Sequence, residues 1–101
     1  MKRRLAKKGT AVVCRKGTMG LGPNVAMRLH DISEDGVRLF IKTALAKGDE
    51  VEVSLTPPGI SKAKVLTAVV AWCTAAQEGN GFWAGAKFRN PMSYSEIFHL
   101  V

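Results

Sequence analysis

Hydrophobic and polar residues alternate along the chain on both sides of the polar segment 31–36. Successive side chains of a strand point to opposite faces, so this alternation predicts two strands that each bury one face. The step from Asp35 to Gly36 is typical of a hairpin turn. A three-residue loop, with Glu34 and Asp35 in a type I turn and Gly36 left-handed, would set odd positions opposite odd ones. The apolar odd positions are Val25, Met27 and Leu29 before the turn, and Val37, Leu39 and Ile41 after it.

Four further runs rich in apolar residues predict more strands, over residues 10–15, 50–55, 62–73 and 82–88. After them Ser93 and Glu96 fit a capping box, so a short helix should begin here. We expect this helix to lay Ile97, Phe98 and Val101 over an open end of the sheet. Six short strands with local connections predict a mainly β fold, a six-stranded antiparallel barrel with a short C-terminal α-helix.

Positive charge is concentrated at the N-terminal end. Residues 1–30 hold eight of the 15 lysines and arginines and no acidic residue, whereas the remainder holds seven bases and eight acids. The net charge of +7 is therefore +8 from the first thirty residues and −1 from the rest. We predict a barrel domain of residues 10–101 preceded by a basic arm of residues 1–9. This asymmetry favours an anionic partner for the arm, with a solubilising tail as the alternative.

Candidate catalytic and metal-binding residues are few. His30 and His99 stand in no recognisable order with Asp, Cys or Ser, and Cys14 and Cys73 lack the spacing of a metal site. Two such cysteines are typical of reduced core residues in a cytosolic protein. The longest apolar run is too short for a membrane-spanning helix. The sequence therefore predicts a cytoplasmic binding protein that is not an enzyme, holds no metal or cofactor and does not insert into a membrane.

Two polar residues at the hairpin are candidates for ligand binding. Asp31 and Ser33 are two positions apart, so in an extended chain they point to the same side. They would offer an acceptor-only carboxylate beside a hydroxyl that can donate and accept. The alternative is that both bind the backbone of their own turn, as Asp and Ser commonly do.

Two short motifs stand at the N-terminus and at the hairpin. The first is the basic run Arg3, Arg4 and Lys8, and the second is an Asp-x-Ser-x-x-Gly motif made of Asp31, Ser33 and Gly36. Together they resemble the PilZ domain, the bacterial receptor family for the second messenger cyclic di-GMP, whose signatures are Arg-x-x-x-Arg and Asp/Asn-x-Ser-x-x-Gly. Segments 45–55, 69–72 and 85–88 look like the later strands of the same family.

The resemblance implies a cyclic di-GMP site without catalytic residues. Arg4 takes the place of the first motif arginine, Arg3 is its basic neighbour, and Lys8 stands where the family has a second arginine. Asp31 and Ser33 take the guanine-binding positions. Lysine keeps the charge but lacks the planar fork of arginine, so one lost bidentate contact would weaken binding by about ten- to a hundredfold.

The favoured interpretation is a PilZ domain that binds cyclic di-GMP and acts through an unidentified protein partner in the bacterial cytoplasm. One alternative is a PilZ-fold interaction domain that no longer binds nucleotide. Another is a small basic barrel that binds single-stranded nucleic acid through Phe82, Trp83, Lys87 and Phe88. Nucleic acid is the less favoured partner, because odd and even positions of one strand cannot all share a face.

Overall fold

The computed structural model describes residues 3–17, 22–77 and 79–101. The described residues form one sheet and one short helix. The strands are β1 (Arg4–Leu5), β2 (Ala11–Lys16), β3 (Ala26–Ile32), β4 (Gly36–Ile41), β5 (Glu50–Thr56), β6 (Lys64–Ala75) and β7 (Phe82–Phe88), and the helix is α1 (Tyr94–Phe98). All paired strands are antiparallel, in the order β1-β3-β4-β7-β6-β5-β2.

The sheet curls into a half-barrel because β2, the last strand of this order, returns to the beginning of β3. The amide of Val25 donates to the carbonyl oxygen of Cys14 at 2.8 Å, and Arg15 forms an isolated bridge with Asn24. The curl gives the sheet a concave inner face, which holds the core, and a convex outer face. The predicted mainly β class with one terminal helix fits this architecture.

The predicted count of six strands is wrong, because the described chain contains seven. The additional strand is β1, in which Arg4 lies opposite Ile32 and Leu5 opposite Asp31. Two further backbone bonds fix the residues that follow it: the amide of Ala6 donates to His30 and the amide of Lys7 to Leu100. Both side chains of β1 are exposed. A short strand with no buried side chain leaves no hydrophobic pattern in the sequence.

Apolar side chains from alternate positions of the long strands fill the inner face. The odd positions of β4 and β5 are buried, as are Ala84, Ala86 and Phe88 of β7. Three of the apolar residues predicted for the hairpin core are completely or almost completely buried, namely Val37, Leu39 and Ile41. Met27 is 58% exposed instead, because the pairing of β3 with β4 changes register at this residue.

The terminal helix begins at the predicted capping box. The amide of Ser93 donates to the Glu96 carboxylate at 3.0 Å, and the amide of Glu96 donates to the Ser93 hydroxyl at 3.3 Å. The helix covers the end of the core with Ile97 and Leu100, which are both buried. Phe98, which was expected in this role, is 61% exposed.

Candidate ligand-binding site

The turn of the β3–β4 hairpin is shorter than the alternation predicts. The amide of Ser33 donates to the carbonyl oxygen of Gly36 at 2.9 Å, so Glu34 and Asp35 alone form the loop. Gly36 is not among the glycines with positive φ, and the predicted left-handed conformation is wrong. It is the first residue of β4 and lies against β7, where an added Cβ would overlap the carbonyl oxygen of Ala86. Glycine serves close strand packing here and not turn geometry.

The pairing of the hairpin changes along its length. Next to the turn, Ile32 lies opposite Val37 and Asp31 opposite Arg38. Beyond a bulge between Leu29 and Asp31, Leu29 lies opposite Leu39, so odd positions pair with odd ones here, as the alternation predicts, up to a second irregularity at Met27. On the turn side of the bulge, the two-residue loop sets Asp31 directly across from Arg38.

The Asp31 carboxylate binds two arginines. Oδ1 accepts from Nη1 of Arg3 at 2.9 Å, while Oδ2 accepts from Nε of Arg38 at 2.7 Å and from its Nη2. Nε2 of His30 is 4.0 Å from Oδ2, too far for a hydrogen bond. The side chain of Asp31 is 4% exposed, whereas those of Arg3 and Arg38 are 39% and 41% exposed. The carboxylate is thus covered by two side chains that themselves reach the solvent.

The arginines also determine the charge state of Asp31. Burial raises the pKa of its carboxyl group, but the hydrogen bonds and charges of Arg38 and Arg3 together lower it by more. The pKa consequently lies below the ordinary value of an aspartate. At neutral pH the group is a carboxylate that can accept hydrogen bonds but cannot donate one.

Ser33 lies beside this cluster in the turn. It is 4% exposed, and its hydroxyl oxygen accepts from the amide of Asp35 at 3.3 Å. The serine therefore binds the backbone of its own turn, which was the alternative expectation for both polar residues. Asp31 differs, because its carboxylate accepts hydrogen bonds from the side chains of Arg3 and Arg38.

The remaining residues of the basic motif lie along the arm. Arg4 is exposed in β1, and Lys8 is exposed in the tight turn that leads to β2. This turn is held by the amide and hydroxyl of Thr10, which donate to the carbonyl of Lys7 at 3.1 and 2.7 Å. The structure thus brings Arg3, Asp31 and Gly36 together and leaves Lys8 at the surface. Met1 and Lys2 of the predicted arm lie outside the described residues.

Two cavities on the outer face flank the Asp31 cluster. One, of about 230 Å³, is lined by Arg3, Asp35, Gly36, Ala71, Trp72, Gly85, Ala86 and Lys87. The other, of about 240 Å³, is lined by His30, Arg38, Trp72 and Trp83. The indole of Trp72 forms a wall of both. It packs over Gly85, where an added Cβ would overlap Nε1.

Arg38 and Trp72 are the two residues of this region that the motifs did not identify. Arg38 could have been found only from the correct register, because the expected three-residue loop sets Asp31 opposite an odd position. Trp72 belongs to the long strand β6, where a tryptophan is as common in the core as on a surface. Its place beside the site follows from the neighbouring strand β7, whose Gly85 leaves room for the ring.

The aromatic set expected for nucleic acid does not form one surface. Phe88 is 3% exposed and Phe82 packs against the core, whereas Trp83 is half-buried on the outer face and Lys87 is exposed.

The described residues contain no group of three or more His, Cys, Asp or Glu that could hold a metal ion. In the same part of the chain, none of the helices is both long and apolar enough to cross a membrane.

Comparison with known proteins gives one match. A family model described as PilZ domain matches residues 2–101, which is nearly the whole chain. Neither a curated protein nor a solved structure matches significantly.

Proposed function

The chain belongs to the PilZ domain family, and we propose that it is a cyclic di-GMP receptor, not an enzyme, that signals through a protein partner in the bacterial cytoplasm. The observation that carries the proposal is the Asp31 carboxylate, held by Arg3 of the arm at the edge of a cavity walled by Trp72. Asp31 and Arg3 come from the two motifs that carry the resemblance.

The chemistry of this cluster matches a guanine dinucleotide. Guanine presents N–H donors on one edge and the acceptors O6 and N7 on another. A carboxylate can accept from the first edge, and a guanidinium can bind the second edge or a phosphate with two hydrogen bonds. An indole ring such as that of Trp72 offers a flat apolar surface for the base. Carboxylate, guanidinium groups and ring all lie at one end of the outer face.

Under this proposal, Arg3 and a guanine would compete for the Asp31 carboxylate. Three of about four acceptor positions of the carboxylate are already used, one by Arg3 and two by Arg38. Arg3 is the partner that can leave, because it precedes the two-residue edge strand β1 and its side chain is 39% exposed. Ligand binding would therefore exchange Arg3 for guanine at Asp31. The freed guanidinium would then bind the ligand from the arm.

Movement of the arm gives a route to a partner protein. The amide of Lys7 donates to the carbonyl of Leu100 at 2.6 Å, so the arm is hydrogen-bonded to the short segment that follows the terminal helix. An arm that closes on ligand would break or shift this bond. The surface formed by the arm and the helix would then differ between the free and the bound protein, which is what a partner needs to distinguish them.

The test is a calorimetric titration with cyclic di-GMP on the intact chain and on matched variants. We expect Arg4→Ala to abolish measurable binding and Lys8→Arg to tighten it by about tenfold, because arginine restores the bidentate fork. Lys62→Ala removes an exposed cation outside the site and serves as the control for net charge.

Absence of heat with folded wild-type protein at about millimolar ligand, corresponding to a binding free energy weaker than about −4 kcal/mol, would contradict the receptor proposal. That result would favour the alternative, a PilZ-fold interaction domain without nucleotide. Unchanged affinity in Lys8→Arg would show instead that Lys8 does not reach the ligand.

A further inference from the structure

A third cavity continues the row formed by the first two on the outer face. It has a volume of about 600 Å³ and is lined by Arg28, Phe40, Ala75, Ala76, Gln77, Gly79 and Trp83. It shares Trp83 with the middle cavity, which in turn shares Trp72 with the cavity beside Asp35. We name this row of three cavities the outer-face strip. Only its end beside Arg3 belongs to the site proposed above.

Each cavity of the strip combines an aromatic wall with one arginine. Arg3 and Trp72 line the first cavity, Arg38 lies with both tryptophans in the second, and Arg28 lies with Phe40 and Trp83 in the third. The repeat unit of a nucleic acid strand is likewise one flat base and one phosphate. Proteins that bind single strands use aromatic rings for the bases and a basic groove for the backbone.

Arg28 is positioned for a phosphate. Its Cζ lies 5.4 Å from the ring centroid of Phe40 and 5.5 Å from that of Trp83. Stacking of this kind holds the planar guanidinium while its N–H groups stay available at the rim. Among the described residues, none accepts a hydrogen bond from the Arg28 side chain, in contrast to Arg3 and Arg38, which are bound to Asp31.

The rings of the strip are held in place by close packing. Phe40 lies over Gly81, where an added Cβ would overlap the ring, as Trp72 lies over Gly85. Trp83 stands between them along β7, with edge-to-face contacts to Phe40 and His30 at centroid distances of 5.1 and 5.2 Å. Rings fixed before binding lose little side-chain entropy when a base stacks on them.

The charge of the strip selects the occupant. The described residues that line the three cavities include four cations and a single acid, Asp35. We propose that the outer-face strip binds single-stranded nucleic acid, with Arg28, Phe40 and Trp83 forming a base-and-phosphate position that a cyclic dinucleotide at Asp31 does not use. This set replaces the one suggested by sequence, of which only Trp83 and Lys87 belong to the strip. The proposal does not depend on the receptor function.

The proposal is tested by measuring the affinity for a labelled twelve-nucleotide oligo-dT by fluorescence anisotropy. Arg28→Ala should weaken binding by about tenfold and reduce the slope of log affinity against log salt by about 0.7, the share of one phosphate contact on a single strand. Arg28→Lys should retain the slope and still lose affinity, because it keeps the charge without the stacking plane. Arg89→Ala, which removes an exposed arginine paired with Glu50, is the matched control and should leave affinity nearly unchanged.

Three outcomes would overturn the proposal. One is no rise in anisotropy at about 100 μM protein in about 50 mM salt, where contacts to phosphate are strongest. Another is an equal loss in the Arg28→Ala and Arg89→Ala proteins. The third is equally tight binding of a labelled poly-glutamate peptide, which would assign the strip to an acidic protein. Calorimetry of Arg28→Ala with cyclic di-GMP should match wild type, so failure of either proposal is seen separately.

Discussion

Strands β4 and β7 carry different kinds of residue on their two faces. The inner face holds aliphatic and small side chains with one phenylalanine, all less than a tenth exposed: Val37, Leu39, Ile41, Ala84, Ala86 and Phe88. The outer face holds cations, aromatic rings and glycine in alternation with them: Arg38, Phe40, Trp83, Gly85 and Lys87. The inner face needs only apolar residues of suitable size. On the outer face Arg38 is bound to Asp31, Phe40 contacts Trp83, and Gly85 leaves room for the ring of Trp72. Stability should therefore follow the inner face and binding the outer face.

The largest effect on stability should come from the inner face. Leu39→Ala removes a side chain that is 1% exposed in the centre of β4, and we expect unfolding free energy to fall by about 2–5 kcal/mol. Urea denaturation followed by far-ultraviolet circular dichroism measures this loss. Lys87→Ala, on the outer face of β7, should change the same quantity by less than about 0.5 kcal/mol. Similar losses in both variants would abolish the distinction between the faces.

Two glycine substitutions separate backbone packing from ring packing. In Gly36→Ala the new Cβ meets the backbone oxygen of Ala86, so β4 and β7 must move apart, at a cost of about 2–3 kcal/mol. In Gly85→Ala it meets the edge of the Trp72 indole, a side chain that can shift at a lower cost than a strand backbone, and we expect a loss of about 1 kcal/mol. The melting temperatures of the two variants should rank in this order. A larger loss for Gly85→Ala would mean that the tryptophan cannot yield.

Acid should weaken the Asp31 cluster. The folded pKa of Asp31 is lowered, so its ionised form stabilises the protein above about pH 4, and this contribution is lost as pH falls through the folded pKa. We expect Asp31→Asn to be less stable than wild type at neutral pH and to approach it in stability at low pH. Urea midpoints between about pH 7 and pH 2.5 measure the difference.

Glu96 is the matched carboxylate for this comparison. Its pKa is lowered to about 2 by the hydrogen bond from Lys64 and by those from Ser93, but it lies at the surface. The Glu96→Gln protein still contains Asp31, so it should still lose the stability that the Asp31 carboxylate contributes as the pH falls. If Asp31→Asn and wild type lost stability in parallel down to the lowest pH, the cluster would contribute nothing to folding.

The smallest effect should come from an exposed ion pair away from the outer-face strip. Arg89 and Glu50 are both about half-exposed, so Arg89→Ala should cost no more than about 0.5 kcal/mol. Arg38→Ala removes two hydrogen bonds to a buried carboxylate and should cost about 1–2 kcal/mol. Thermal melts of the two variants measure both losses of stability. Equal losses would show that an ion pair to the buried Asp31 carboxylate is no stronger than an exposed one.

The sequence predicted best the features that depend on local pattern. Alternation in β4 and β5 identified their buried faces, because a strand with one face in the core repeats with a period of two. The capping box was confirmed at Ser93 and Glu96, since both of its hydrogen bonds join residues three positions apart. Neither feature requires knowledge of a distant part of the chain.

The features that were wrong or missed depend on register and on pairing between distant segments. The irregularities at Met27 and His30 shift β3 against β4, and no composition rule marks where such a bulge falls. An apolar Met27 therefore reads as core although it is exposed. Arg38 could not be assigned to Asp31 without that register. Both residues of the strand β1 are exposed, so neither carries a hydrophobic signal of its pairing with β3.

The binding roles expected for the motif residues remain predictions, and the contacts of these residues differ in how readily a ligand could reach them. Arg3 binds the Asp31 carboxylate, whereas Arg4, which the resemblance places at the first motif position, is exposed in β1. The hydroxyl oxygen of Ser33 accepts a hydrogen bond from the amide of Asp35 within the turn, so a ligand would have to compete with that amide. Lys8 is exposed in the turn of the arm, so its contribution to a site at the hairpin requires the arm to move.

The chain has two tryptophans, and both stand on the outer face beside the proposed sites. Excited near 295 nm, the protein emits from these two rings and so reports only on their surroundings. A ligand seated on either indole would quench or shift that emission, which makes the native chain its own unlabelled binding sensor. Neither tryptophan lies in the aliphatic interior. A shift in emission wavelength without a change in circular dichroism would therefore identify binding at the outer face that leaves the fold unchanged.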